Sequence, residues 1–440
     1  MKKVLIIANL SHHPSRVLGI SKYLHEFGWS PTIISACGNE PSLYQSADTA
    51  NNCRSEHQNL GSDVRYRVIE TKFREVLSFW QHTLKIAPQD DLRAELQKRT
   101  NSKSKTSAYL LNSVVTLASM IACYPDADKG WLPFAVEASS KLLELENTDA
   151  IISTSAPFTS HLIGKKVKEQ FAVPWIADFR DLWSENHNYG YGWLKHAIDK
   201  RFEVRTMRSA DALITVAEPF AEKLQQLHKG KAVYTITNGF DPEDFCRPPI
   251  KLTPQFTITY TGAIYKGKQD PILLFEALSG LIADQTINAD DVEVRFFGSG
   301  LDWLEEAVKD YKLSRVVKLF KPVPRSVAFD RQRESHVLLH LTWEDDASVA
   351  GYSLKLFDYL AAKRPILATG RGNDMTVKLL QETAAGIYCE TVEDLQSVLE
   401  RMYLGHRSHR EVTEKPNTVA INAYSYRSIA KRFSDVLDVV

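Results

Sequence analysis

A chain of 440 residues is long for one hydrophobic core, and 44 % hydrophobic and 25 % charged residues is close to ordinary soluble globular composition, which argues against disorder. Lys plus Arg equals Asp plus Glu at 54 each, so the basic footprint of a nucleic-acid binder is missing and any anionic ligand must be held locally. The five cysteines, Cys37, Cys53, Cys123, Cys246 and Cys389, are odd in number and scattered, with neither a C-x-x-C pair nor zinc-like spacing; they read as reduced thiols of a cytoplasmic protein.

The N-terminal run Val4 to Leu10 predicts a buried first strand. Val17, Ile20, Leu24 and Phe27 then recur at helical spacing up to Gly28, with Pro14 suited to the helix start. Pro31 to Ser35 supplies a second β-branched run, whereas Glu40 to Lys105 is irregular and assigns no elements. Further strands are expected at Ala150–Thr154, Pro174–Asp178, Ala212–Ala217 and Val233–Thr237, with a helix from Thr159 to Phe171. Strands apolar on both faces that alternate with amphipathic helices are what a helix-covered parallel sheet requires. Four prolines between Phe240 and Gln255 mark a linker, after which the pattern restarts with strands at Thr257–Thr261, Val292–Phe297, Val316–Phe320, Val337–Leu341 and Pro365–Ala368. The expected architecture is α/β, with two facing Rossmann-like doubly wound domains. Residues 1–245 form the first, 246–420 the second, and 421–440 a C-terminal helix returning to the first domain.

Ligands of open parallel sheets bind beyond the carboxyl ends of the strands. The strongest cluster there runs from Gly351 to Leu367, where a glycine loop opens a helix carrying Ser353, Lys355 and Asp358. A helix N-terminus attracts phosphate, and a first-turn lysine adds a full charge. The spacing of three puts Lys355 and Asp358 on one face, so that a phosphate and a ribose contact could share a surface; a solvated ion pair is the alternative. Thr261-Gly262-Ala263, with Lys266 and Lys268 beyond, and Phe297-Gly298-Ser299-Gly300 are weaker nucleotide-loop signals, and neither completes a dinucleotide fingerprint or a P-loop. In the first half, Asp178-Phe179-Arg180-Asp181-Leu182-Trp183 and Ser153 to His161 follow strands and are expected to border a cleft, the alternatives being a loop-holding Arg180–Asp181 pair and a helix-start His161. His12, His13 and Arg16 follow the first strand. No H-E-x-x-H, cysteine cluster or D-x-D pair at a strand end suggests a metal site, and no G-x-S-x-G suggests a serine hydrolase.

These residues resemble the retaining glycosyltransferases of family 4, of GT-B fold, and within them a bacterial branch that makes surface polysaccharides. The resemblance rests on Tyr124-Pro125-Asp126 with Gly130-Trp131, on Ile151 to Pro157 through His161 to Gly164, on Pro174 to Trp183, on Thr237 to Asp241 and on Ser353 to Leu367. It implies a nucleotide-diphosphate sugar as donor in the second domain and a glycan or lipid-linked acceptor in the first, with retained anomeric configuration, no metal and no cofactor. Under it Asp178, Arg180, Asp181 and His161 are the catalytic candidates, and Gly262, Lys266, Gly298, Glu344, Ser353, Lys355 and Asp358 hold the donor. Asp358 stands where the family has a glutamate. The family's other carboxylate would fall at Ala350, so that role moves to Glu344, Asp345 or Asp346 or is absent, and Ser11 to Arg16 replaces the usual glycine pair. A sugar-nucleotide epimerase, a silent sugar-nucleotide-binding partner of a transferase and an NAD-dependent oxidoreductase are the competing readings, the last opposed by the missing glycine fingerprint. Lys103 and Lys105 ahead of the apolar Ala108–Tyr124 stretch, with Trp131 beyond, suit a peripheral contact with the inner face of the membrane; an internal helix is the alternative.

Overall fold

The computed structural model describes residues 1–37, 66–74, 123–186, 192–343, 351–370, 374–408 and 416–440. They divide into two units, one of Met1–Ile236 with Ala430–Val440 and the other of Thr237–Ile429. The proline-bearing stretch 240–255 is part of the second unit, where Phe240 bridges Ser425.

The first unit is a parallel sheet of seven strands: β1 (Lys2–Ile7), β2 (Trp29–Ala36), β3 (Arg67–Thr71), β4 (Ala150–Ser155), β5 (Trp175–Phe179), β6 (Ala212–Thr215) and β7 (Ala232–Thr235), in the order β3-β2-β1-β4-β5-β6-β7. Its described helices include α1 (Ser15–Leu24), α2 (Leu132–Leu145), α3 (Thr159–Phe171), α4 (Trp193–Met207) and α5 (Glu218–Leu227). Every residue of β4, β5 and β6 is buried, because helices cover both faces of a central parallel strand. Two tryptophans fix the core by pairing their indole N–H groups: Trp175 Nε1 donates to Ser153 Oγ at 2.8 Å, and Trp131 Nε1 to Thr71 Oγ1 at 2.7 Å. Gly164 on α3 is required by the first of these, since a Cβ there would lie 2.6 Å from that indole nitrogen. Trp131 is 0 % exposed, which removes it as an interfacial anchor. Lys103, Lys105 and nearly all of Ala108–Tyr124 lie outside the described residues.

The second unit is a parallel sheet of six strands: β8 (Phe256–Thr261), β9 (Val292–Phe297), β10 (Val317–Phe320), β11 (Val337–Leu341), β12 (Ile366–Thr369) and β13 (Gly386–Cys389), in the order β10-β9-β8-β11-β12-β13. Around it are α6 (Ile272–Ala283), α7 (Leu304–Asp310), α8 (Arg325–Arg333), α9 (Leu354–Ala362), α10 (Asp374–Thr383) and α11 (Val392–Arg407). A final helix, α12 (Tyr426–Leu437), ends in the first unit, where Ser434 Oγ donates to Phe27 O at 3.4 Å. Both units are thus Rossmann-like and doubly wound, as the alternating pattern predicts. In each the chain reverses direction across the sheet once, between β1 and β4 and between β8 and β11. Such reversals open a crevice at the strand ends. No helix among the described residues is long and apolar enough to cross a membrane.

Candidate functional site

In the second unit a cavity of about 240 Å³ opens at the ends of β8 and β9. Its floor is the meeting of two glycine loops. Gly262 N donates to Phe297 O at 2.7 Å, Gly298 N to Phe320 O at 3.1 Å and Ile264 N to Ser299 O at 3.1 Å. Gly262 has φ +116°, and a Cβ on Gly298 would fall on the Gly262 carbonyl oxygen. Side chains at either position are therefore excluded by backbone, which leaves main-chain surface open to a ligand.

Lys355 reaches this floor from the first turn of α9. Its Nζ donates to Tyr260 Oη and, at 3.1 Å, to Ala263 O, and lies 4.3 Å from the centre of the Tyr260 ring. Burial depresses its pKa from 10.5 to about 8, so the ammonium is poorly solvated, and no acid among the described residues offsets that burial. A diphosphate would supply the missing charge. Tyr260 is itself fixed by donating to Ala263 O at 2.8 Å, and burial raises its pKa. Behind it, Tyr359 Oη accepts from Thr261 N at 3.1 Å and Gln332 Nε2 donates to Thr261 Oγ1 at 2.8 Å.

Asp358, one turn further along α9, lines the same cavity but does not pair with Lys355. Its Oδ1 accepts from Arg325 Nη2 at 2.7 Å instead. Burial raises the Asp358 pKa and Arg325 opposes the rise. The cavity therefore gathers Gly262, Gly298, Lys355 and Asp358 of the residues expected from sequence. Lys266 is exposed and rests on the Trp303 ring at 5.7 Å, and Ser353 caps α9 by backbone geometry without a side-chain bond. Glu344, with Asp345 and Asp346, lies outside the described residues. Arg325, Tyr260 and Gln332 have no sequence signal, because each meets its partner across the fold.

The first unit carries a second polar cluster at the ends of β1, β4 and β5. Arg16 and Asp178, 2 % and 1 % exposed, form a buried pair through Nη2–Oδ1 at 2.9 Å and Nε–Oδ2 at 3.1 Å. Arg16 Nη2 also donates to Ile236 O at 2.9 Å, and Thr154 Oγ1 to Asp178 Oδ2 at 3.3 Å. Both Asp178 oxygens are thus engaged within the unit. His161 is fully buried, with Nδ1 2.8 Å from Ser153 Oγ, and burial followed by the Arg180 charge lowers its pKa to about 3. Arg180 ties two loops together: Nε and Nη2 donate to Ser155 O and Ala156 O, both at 2.6 Å, and Nη1 to His12 O and His13 O at 2.9 and 2.7 Å. Asp181 is exposed beside this knot. His12 Nε2 approaches Asp128 Oδ2 at 3.1 Å, a hydrogen bond that raises the imidazole pKa, while Asn9 Nδ2 holds Asp128 Oδ1 at 2.9 Å.

Asp128, His161, Asp178, Arg180 and Asp181 of this cluster fall within a recognised segment, while Asn9, His12, His13 and Arg16 precede it. Residues 100–244 match the model of Glycosyltransferase Family 4. No curated protein sequence matches the chain. Solved structures similar along the whole chain include Anabaena HepE in complex with UDP, with TM-score 0.60 and 11 % identity over 100 % of both chains. Sucrose-phosphate synthase from Thermosynechococcus elongatus follows at TM-score 0.57 and 13 % identity, over 100 % of this chain and 99 % of that one. A protein of Listeria monocytogenes described as a candidate UDP-N-acetylglucosamine 2-epimerase has TM-score 0.51 and 12 % identity, over 100 % of this chain and 96 % of its own. At these identities the likeness is one of fold.

Proposed function

We propose that the protein is a GT-B glycosyltransferase that takes its sugar from a nucleotide diphosphate held in the second unit. The observation that carries this reading is Lys355: a desolvated ammonium set over a floor of glycine backbone at the strand-reversal point, with Asp358 on the same helix for a ribose. The family match over residues 100–244 and the UDP held by the similar Anabaena protein support it. Transfer of this kind needs alignment of donor and acceptor and stabilisation of the charge that develops on the leaving diphosphate. In this reading Lys355 and the amides around Gly262 and Gly298 supply the stabilisation. In the first unit Arg180 and Asp181 face the acceptor, while His161 and Asp178 support their loops from within the core.

The finer terms of the reading are retention of anomeric configuration, independence of metal, and a glycan or lipid-linked acceptor in surface-polysaccharide synthesis at the inner face of a cytoplasmic membrane. They rest on the sequence resemblance. The deciding experiment incubates the protein with a panel of nucleotide-diphosphate sugars, with and without acceptors, and follows nucleotide release and the anomeric proton of the product by NMR. Transfer dependent on acceptor is expected. Conversion of donor alone would favour an epimerase, the reading to which the fold of the Listeria protein lends support. Nucleotide binding without turnover would mark a silent binding partner.

A further inference from the structure

We propose that Arg325 is a positioning residue of the cavity, fixing and keeping ionised the Asp358 carboxylate that receives the ribose hydroxyls of a nucleoside diphosphate. The inference rests on the donor reading of Asp358 and assigns Arg325 to act through it.

Arg325 opens α8 directly after Pro322-Val323-Pro324, and Pro322, Val323, Arg325 and Asp358 all line the cavity. The guanidinium holds Asp358 Oδ1 from one side at 2.7 Å. From behind, both terminal nitrogens reach Asp244 Oδ2 at 3.4 Å. Asp244 is itself satisfied by Arg247 Nη2 at 2.7 Å, so it steadies Arg325 without competing fully for its charge. The Asp358 side chain is 31 % exposed, and Arg325 engages only one of its oxygens. A diol can therefore meet the other oxygen without breaking the ion pair. A planar guanidinium suits this task, since it fixes the carboxylate in direction as well as in charge.

Ionisation matters because a protonated carboxyl loses acceptor strength toward sugar hydroxyls. Burial pushes Asp358 toward that neutral form, Asp244 adds to the push, and Arg325 opposes both. Among the described residues, the charged groups facing Asp358 are Arg325 from α8 and Asp244 from the turn Pro242–Phe245. Lys355, a helical turn earlier, is directed to Tyr260 and Ala263, and His340 on β11 is held neutral by its burial. Removing Arg325 should leave Asp358 facing an acid alone, and its carboxyl should take up a proton at higher pH.

The test is calorimetric titration with the tightest binder among UDP, GDP, ADP and CDP, from about pH 5 to 8, on the full chain. Wild type is compared with Arg325→Gln, Arg325→Lys, Asp358→Asn and the double variant Arg325→Gln/Asp358→Asn. Arg325→Gln should weaken binding about tenfold at neutral pH and move the acidic fall in affinity to higher pH. Arg325→Lys should recover part of both effects. In the Asp358→Asn background the Arg325→Gln change should cost less than about twofold, because the two residues act as one. Full cost in that background, or an unmoved pH profile, overturns the proposal. Wild-type affinity in Asp358→Asn, or no nucleotide binding by the wild type, overturns the donor reading instead. Should Arg325→Gln melt early, Arg325→Lys carries the pH comparison.

Discussion

Lys355 keeps its charge in a place that disfavours it, and that sets a pH signature for ligand binding. With its pKa lowered to about 8 by burial, the side chain is protonated below that value and loses its proton above it. A diphosphate favours the protonated form, so nucleotide affinity should be flat from about pH 6 to 7.5 and fall by up to about tenfold per unit above about 8. Titration of Lys355→Ala should lack the fall above about pH 8, with affinity about ten- to more than a hundredfold below wild type at neutral pH. Asp358→Glu should retain much of the binding, as the longer side chain still reaches a ribose. Asp178 belongs to a different class. Removing its carboxylate in Asp178→Ala strands the buried Arg16 charge and should cost about 3–5 kcal/mol, read from urea unfolding. Arg180→Ala should reduce transfer while nucleotide affinity stays at wild type, since its four bonds organise the loops after β1 and β4. Equal loss of both would tie it to the donor.

At the scale of elements, the floor of the cavity is a contact between two strand-end loops, and its tolerance is set by backbone. A methyl on Gly298 must displace the Gly262 carbonyl, so Gly298→Ala should destabilise the second unit by about 1–3 kcal/mol and weaken nucleotide binding. A melt followed with and without nucleotide checks both. Two inner strands were legible from sequence with their observed bounds: Val337–Leu341 is buried throughout and nearly all apolar, and Val292–Phe297 sets buried Val292, Val294 and Phe296 in alternation with half-buried Glu293 and Arg295. The strands that escaped are at sheet edges. Arg67–Thr71 and Gly386–Cys389 are short and half-buried, so their side chains lack the run of apolar residues that marks an interior strand. The helix carrying Lys355 and Asp358 was readable from its glycine opening. The partners of these two residues were not: Asp358 meets Arg325 across 33 residues of chain and Lys355 meets Tyr260 across 95, distances over which local pattern carries no information.

For the molecule as a whole, buried neutral histidines contribute to the response to acid. His161 in the first unit and His340 in the second have pKa values lowered to about 3 by burial, against about 6.5 in the unfolded chain. The unfolded state therefore binds more protons between these values. The stability these two neutral imidazoles contribute is fully present above about pH 6.5 and is lost progressively as pH falls toward about 3. Urea midpoints measured from about pH 7 to 4 should decline, and His161→Gln and His340→Gln should each flatten the decline in their own unit. The same lysine that would hold a phosphate offers a practical handle on all of this. At about pH 8 roughly half of the Lys355 side chain is free amine, whereas an ordinary lysine of pKa about 10.4 is less than about 1 % so. A small acylating reagent at that pH should mark Lys355 early, and a bound nucleotide should shield it. Peptide mapping by mass spectrometry would then read occupancy of the cavity directly, with no substrate turned over.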